Sequence, residues 1–188
     1  MNKKTCKHFL VVFGLFSEKM LNEYREHMNT TVHKAEDIAK FFINRANKEY
    51  VDEGGVAEGI TNLKLQKMLY FAQAAHLSMY GKPLFEDEIE AWKFGPVVRS
   101  VYDQYKANGN SPIAECVGIK LEDDLESFLE SVWSIYGKYS ASELVQITHN
   151  HLPWKEAYLG KGENEIIKQD RLKEYYRSYF TADEEGKN

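Results

Sequence analysis

The chain has 188 residues, which is the size of one domain with a substantial core. Its net charge of −5 and pI of about 5.7 argue against nucleic acid as the main partner, because nucleic-acid binders usually carry a basic domain or stripe. Its two cysteines, Cys6 and Cys116, form no Cys-x-x-Cys pair and are too few for a disulfide framework, so we expect no zinc ribbon and a reducing, cytoplasmic location.

Residues 1–27 precede the first convincing helical pattern. The stretch from His8 to Phe16 is almost wholly apolar, but it is far shorter than the ~20 residues needed to cross a bilayer. No small-x-small cleavage site follows it. We therefore expect residues 1–27 to be an extension outside the domain or the result of an early start codon, with Met20 and Met28 as later starts. A helix that packs on the domain and a targeting segment are the alternatives, and no membrane partner is expected.

Two helices are predicted in the first half of the chain. Apolar residues at helical spacing predict one from about Val32 to Glu49, and the glycine-containing segment from Val51 to Gly59 is expected to be a loop. The next helix has clearer boundaries, because Thr61 suits an N-cap and Gly81 suits the C-terminal cap. Its apolar arc is wide, which predicts a central helix touched on more than one side. The inward stripe is Leu65, Met68, Leu69, Ala72, Ala75 and Met79.

The segment from Leu84 to Phe94 alternates between acidic and other residues, which favours a short extended segment or hairpin over a helix. Gly95-Pro96 is then expected to open a third helix, because proline suits the first helical position. That helix is expected to end in the segment from Asn108 to Pro112.

The second half of the chain predicts further helices. One spans about Asp123 to Tyr136, and a capping box from Ser140 to Glu143 starts a short helix that ends near His149. Pro153 is expected to be a break, followed by one or two turns up to Leu159. A last helix carries Leu172, Tyr175, Tyr176 and Tyr179.

The predicted fold class is mainly α. We expect a single compact domain of about six helices over residues 28–180, with at most a small β element between the second and third helices. Residues 181–188 are polar and are expected to form a flexible tail.

A search for catalytic and metal-binding patterns finds none that stands out. The sequence has no glycine-rich phosphate loop, no G-x-S-x-G elbow and no H-E-x-x-H pair. His149 and His151 are two positions apart, which on a helix points their side chains in different directions. Gln73 and His76 are better explained as satisfied polar residues of the core than as ligands. We therefore predict no catalytic residue, metal ligand or cofactor, and the protein is not expected to be an enzyme.

Two blocks of the sequence resemble the Panacea domain family, the SocA-like antitoxin domain long catalogued as phage-associated. The first contains KLQKMLYFAQ (Lys64 to Gln73) and GKPLFEDEIEAWKFGPVV (Gly81 to Val98). The second runs from His151 to Tyr176 and includes Pro153-Trp154 and the segment Asn164 to Ile167. The resemblance covers about Thr31 to Phe180.

The resemblance implies a helical, non-enzymatic domain that works by protein–protein contact. In such families the domain acts as an antitoxin that neutralises a cognate toxin protein encoded beside it, often in a prophage or other mobile element. In the SocA-like branch it is instead an adaptor that delivers the toxin to an ATP-dependent protease. Two further hypotheses are a small enzyme that uses an acidic cluster with Lys93 or a histidine, and a DNA-binding regulator. The cluster, which is more simply a solvated acidic face, is Glu86, Asp87, Glu88 and Glu90.

The run from Trp92 to Tyr102 is the candidate partner-binding segment. Tryptophan and arginine are enriched at binding hot spots, so aromatic residues and Arg99 around a rigid Gly-Pro turn can form an anchor. The alternative is that Trp92 and Phe94 belong to the core, and the family resemblance does not decide between the two. The predicted site residues are Trp92, Lys93, Phe94, Gly95, Pro96, Arg99 and Tyr102.

Overall fold

The computed structural model describes residues 32–52, 54, 59–114 and 118–181, without the side chains of Lys161 and residues 178–181. This part of the chain is mainly helical, as predicted, with seven α-helices and a small three-stranded sheet. None of its helices combines the length and the apolar character that a membrane span requires. The elements in chain order are α1 (Ala35–Asp52), α2 (Asn62–Tyr80), β1 (Ile89–Trp92), β2 (Gly95–Val98), α3 (Arg99–Tyr105) with a 3₁₀ turn (Lys106–Asn108), α4 (Asp123–Tyr136), α5 (Ala141–His149), α6 (Leu152–Lys161), β3 (Glu165–Ile166) and α7 (Gln169–Thr181).

Helix α2 lies at the centre of the fold. The side-chain oxygen of Thr61 accepts a hydrogen bond from the backbone N–H of Lys64, and Gly81 closes the helix in a left-handed conformation with φ of 78°, so both predicted caps are confirmed. Every residue from Lys64 to Ser78 is buried. Helices α1, α4, α5 and α7 and strand β2 all pack against α2, which explains why it is enclosed on every side. The prediction of a central helix is confirmed.

The sheet has the strand order β2-β1-β3, and its pairings are antiparallel. β1 and β2 form a tight hairpin in which Trp92 lies opposite Gly95, so that Lys93 and Phe94 make the turn. The predicted β element between the second and third helices is therefore present as a hairpin, but its second strand lies beyond Phe94, where the predicted segment ended. Its third strand, β3, comes from far along the chain and was not predicted.

The expectation that Gly95-Pro96 opens a helix is wrong. Both residues lie in strand β2, and helix α3 begins only at Arg99. Within the sheet β2 pairs with β1 alone, so it is an edge strand. Proline is tolerated in an edge strand because one side of that strand has no neighbouring strand, so the missing N–H costs no hydrogen bond of the sheet.

The later helices follow the prediction closely, with one exception. Helix α4 has the predicted bounds, and the capping box is formed by Ser140 and Glu143, whose side chains each accept the other's backbone N–H. Pro153, however, does not break the chain but occupies the first turn of α6, where proline is tolerated. Helix α6 is thus a full ten-residue helix and adds a seventh to the six predicted.

Some predictions concern residues outside the described part of the chain. Helix α1 continues to Asp52, so the predicted loop from Val51 begins later, and most of it lies outside the described residues. The proposed extension over residues 1–27 also lies outside them. So does the predicted tail over residues 181–188, except for Thr181, which is the last residue of α7. The domain boundaries remain predictions.

Candidate protein-binding site

Polar side chains of α2 hold the β1–β2 hairpin by its backbone. The buried Gln66 accepts a hydrogen bond from the backbone N–H of Val98 through Oε1 at 2.9 Å. Lys67, which is fully buried, donates from Nζ to the carbonyl oxygen of Pro96 at 2.9 Å. The Val98 N–H and the Pro96 carbonyl oxygen are thus satisfied by α2 and not by strand β1. The two bonds fix the edge strand β2 against the central helix.

The chain approaches α2 so closely at Gly95 that only glycine fits. Its φ is +96°, a conformation that side chains rarely adopt. A Cβ atom there would lie 2.7 Å from Lys67 Cε and 2.8 Å from Thr148 Oγ1. The glycine is therefore required by both backbone conformation and space, and it lets the hairpin turn sit directly over the amine.

Burial sets the charge state of the groups beneath the hairpin. Desolvation lowers the pKa of Lys67 to about 7, so its amine is far easier to deprotonate than that of an exposed lysine. The pKa of His149 is lowered as well, mainly by burial and to a smaller extent by the positive charge of Lys67 nearby. The imidazole of His149 stacks on Trp154 with ring centroids 4.0 Å apart, and Trp154 Nε1 donates to the carbonyl oxygen of Trp92.

The outer face of the hairpin is ordered by a carboxylate. Glu90 accepts two hydrogen bonds from Arg99, each 2.8 Å long, and one from Trp92 Nε1 at 2.7 Å. The hydrogen bonds from Arg99 are the main reason that the pKa of Glu90 is lowered. The Arg99 guanidinium also lies 5.2 Å from the centroid of the Trp92 ring, whose other neighbour is Tyr102 at 4.9 Å. Contacts with Glu90, Arg99 and Tyr102 thus hold the Trp92 ring in one orientation.

A groove of about 600 Å³ opens beside this face of the hairpin. The first turn of α2 forms part of its lining together with the hairpin, α3 and the turn before β3. Apolar surface predominates in the lining, to which Leu63, Trp92, Phe94, Val97 and Tyr102 contribute.

The turn of the hairpin places two side chains in solvent. Phe94 is 60% exposed, which is unusual for a large aromatic residue and makes it a candidate contact residue. Lys93 is also exposed, and its Nζ lies 5.6 Å from the centroid of the Phe94 ring. Both residues contribute to the groove.

The structure brings together five of the seven predicted site residues on one accessible surface. Trp92, Lys93, Phe94 and Tyr102 line the groove, and the exposed Arg99 packs on Trp92. Gly95 and Pro96 are buried beneath them and face α2, so they shape the surface but do not form it. Trp92 is half-buried and Phe94 is exposed, and neither belongs to the hydrophobic core, so the alternative that they are core residues is wrong. Their role in binding a partner stays a prediction.

Several residues of this region were not predicted. Asn62 and Gln66 hydrogen-bond to each other, and Asn62 also donates to the carbonyl oxygen of Tyr102. Glu163 and Asn164 join the groove from beyond α6. A signal for the first pair exists in the sequence, because polar residues four positions apart on an otherwise apolar helix lie on one face. Nothing in the local sequence places Glu163 or Asn164 there.

The two predicted polar core residues are both buried, and Gln73 is satisfied as expected, whereas Nε2 of His76 has no hydrogen-bond partner among the described residues. Gln73 hydrogen-bonds to the backbone of Leu84 and Phe85, and His76 contacts the carbonyl oxygen of Lys82 at 2.8 Å. Burial lowers the pKa of His76 to about 4. Both residues fasten the segment that leads into the hairpin.

His149, the last residue of α5, and His151, which follows that helix, lie in different surroundings. His149 stacks on Trp154, whereas His151 is buried between the hydroxyl groups of Tyr70 and Tyr176, each 3.3 Å from its Nδ1. Within the described ranges no three His, Cys, Asp or Glu residues are grouped so that they could hold a metal ion.

The acidic cluster is divided between separate contacts. Asp87 accepts a hydrogen bond from the hydroxyl of Ser100 at 2.6 Å, while Glu90 binds Arg99 and Trp92. Glu86 and Glu88 are exposed. The interpretation as a solvated face therefore holds for Glu86 and Glu88, whereas Asp87 and Glu90 are half-buried and engaged by neighbouring side chains.

Comparison with known proteins finds similarity in the central part of the chain. Residues 65–155 match the protein family described as "Antitoxin SocA-like, Panacea domain". The chain is also similar to the protein named antitoxin SocA of Caulobacter vibrioides, with 38% identity over 119 residues. That alignment covers 56% of this chain and 63% of the relative, so the chain spans less than two thirds of its length. No solved structure matches the chain.

Proposed function

We propose that this protein, whose residues 65–155 match the SocA-like Panacea domain family, is the antitoxin of a toxin–antitoxin pair and neutralises its toxin by binding it directly. The observation that carries the proposal is the domain match together with 38% identity to a protein named antitoxin SocA. Recognition by protein contact is the mode of action that this assignment requires.

The geometry of the hairpin supports the choice of binding surface. The family match includes most of α2 and the whole hairpin, so the groove and its supports fall largely within the matched residues. The surface combines rigid aromatic side chains with a positioned arginine, which are the residue types that dominate binding energy at protein interfaces. Its backbone is fixed from below by Gln66 and Lys67, so little order has to be gained on binding.

The test is co-expression with the protein encoded by the neighbouring gene. The candidate toxin is expressed alone and then with this chain, and growth and co-purification are measured. We expect the toxin to arrest growth, and this chain to restore growth and to purify with it as a complex. A toxin that is neither bound nor neutralised would overturn the proposal.

A matched pair of variants locates the surface. Phe94→Ala removes an exposed aromatic residue of the groove, and Leu159→Ala removes an exposed apolar residue of α6 that lies outside it. We expect the first to weaken neutralisation and the second to leave it unchanged. Equal effects would place toxin binding elsewhere on the chain.

The same cells distinguish sequestration from the adaptor mechanism. If this chain only sequesters the toxin, the half-life of the toxin after translation is blocked should be the same or longer in its presence. A shortened half-life that depends on an ATP-dependent protease would favour the adaptor and would contradict simple sequestration.

A further inference from the structure

We infer that the groove beside the hairpin receives a bulky apolar side chain of the toxin, and that a carboxylate near that side chain pairs with Lys93. This inference rests on the proposed function and adds the chemistry of the partner. It is carried by the lining of the groove, by the hydrogen bonds of its polar residues and by the charge at its edge.

The size and lining of the groove suit an apolar anchor. Its volume of about 600 Å³ lies in the range of well-formed ligand sites, about 300–1,000 Å³. Trp92 and Tyr102 supply aromatic surface whose orientation is already fixed by Glu90 and Arg99. An apolar side chain that enters can therefore bury its surface against rings that do not have to be ordered first.

The two buried polar residues of the lining favour the same kind of side chain. Both ends of the Asn62 amide are engaged, by Gln66 and by the carbonyl oxygen of Tyr102. Both ends of the Gln66 amide are engaged as well, by Asn62 and by the N–H of Val98. A polar side chain inserted there would lose its water without gaining these partners, and that loss is unfavourable.

The positive charge of Lys93 at the edge of the groove indicates which residue type of the toxin should lie beside the inserted apolar side chain. Lys93 is exposed at the hairpin turn and has no ion pair with any acidic residue in the described ranges. The other lysine of the lining, Lys106, already pairs with Asp103 at 3.0 Å. The carboxylate of the lining, Glu163, accepts a hydrogen bond from Tyr158 in the turn before β3. Lys93 is thus the cation available to a carboxylate of the partner, and that carboxylate should lie at the hairpin side, away from Glu163.

The experiment measures binding of the purified toxin to the full chain by calorimetry. Truncation of the aromatic contact in Phe94→Ala should weaken binding by about 30-fold, as expected for a hot-spot residue. Reversal of the charge in Lys93→Glu should weaken it by about tenfold or more and reduce its salt dependence. Two controls lie on α6 outside the groove: Leu159→Ala and Lys155→Glu should bind as the wild type does.

A charge exchange identifies the pair itself. Each acidic residue of the toxin is changed to lysine, and the variants are tested against the wild type and Lys93→Glu. One toxin variant should bind the wild type weakly and recover at least part of the loss with Lys93→Glu. If no toxin variant shows this recovery, the assignment of a carboxylate to Lys93 is wrong.

The outcomes separate this inference from the proposed function. If the toxin does not bind the wild-type chain, the proposed function fails and the inference fails with it. If the toxin binds the wild-type chain, and Phe94→Ala and Lys93→Glu bind it as tightly as the wild type does, the inference fails and the antitoxin function stands. If light scattering shows that the free chain is a dimer and that Phe94→Ala makes it a monomer, the groove is occupied by a second copy and the inference is overturned.

Discussion

The ammonium nitrogen of Lys67 lies 2.9 Å from the carbonyl oxygen of Pro96, and this hydrogen bond joins the central helix to the edge strand of the hairpin inside the core. Lys67 is fully buried, so the bond replaces water that the amine would otherwise have. Lys67 therefore supports the candidate binding surface from inside the core, although it does not line the groove itself.

Titration of Lys67 should make the protein more stable at alkaline pH. Burial lowers the pKa of Lys67 to about 7 in the folded state, whereas an unfolded lysine holds its proton to about pH 10.4. Between these values the unfolded state binds more protons, so the free energy of unfolding rises with pH, by at most about 1.4 kcal/mol per unit. Denaturant titrations at pH 7, 8 and 9 measure the slope.

The matched controls for this titration are two lysine-to-methionine variants. Lys67→Met should lose the extra slope, because methionine carries no proton. Lys120→Met removes an exposed lysine and should keep the wild-type slope. The same pH dependence in the wild type and in Lys67→Met would show that Lys67 does not titrate in this range.

Addition of one methyl group at Gly95 should distort the hairpin. In Gly95→Ala the Cβ would lie 2.7 Å from Lys67 Cε, and the backbone would keep an unfavourable φ of +96°. We expect a loss of stability of about 2 kcal/mol from overpacking and strain. Gly118→Ala is the control, since it has no atom within 4 Å of the added Cβ and should leave the denaturation midpoint unchanged. An undisturbed Gly95→Ala would contradict the close approach of hairpin and helix.

Loss of the amide of Gln73 should destabilise the segment that leads into the hairpin. In Gln73→Met the backbone N–H groups of Leu84 and Phe85 and the carbonyl oxygen of Phe85 lose their partner. Since buried unsatisfied groups cost about 1–3 kcal/mol each, we expect a loss of about 3 kcal/mol or more. Hydrogen exchange at Leu84 and Phe85 should also become faster. The exposed Gln146→Met serves as the comparison, and a similar small effect in both would refute the role of Gln73.

Acid should destabilise the protein through His151. Burial lowers the pKa of His151 to about 3, whereas an unfolded histidine takes up a proton near pH 6.5. As the pH falls from 6.5 towards 3, the unfolded state binds the extra proton and the free energy of unfolding falls. His151→Phe should reduce this acid sensitivity in denaturant titrations at pH 6.5 and 4.5, and His33→Gln, at a half-buried site, should reduce it less. An acid response unaffected by His151→Phe would contradict the prediction.

The sequence by itself determined six of the seven described helices and the part of the candidate surface that the hairpin and α3 supply. Caps at Thr61, Gly81 and Ser140 are local signals, because each side chain or glycine bonds to backbone a few positions away, and the structure has all three. The predicted surface residues were found as a group because Trp92 to Tyr102 are neighbours in the chain.

Only the tertiary structure decided how these residues are used. Gly95-Pro96 suits a helix start by local preference, but pairing with β1 and the hydrogen bond from Lys67 place it in a strand. Glu163 and Asn164 reach the groove because β3 pairs with β1, a contact between segments far apart in sequence. Local propensity cannot encode such contacts, since they depend on what packs against a residue and not on its neighbours in the chain.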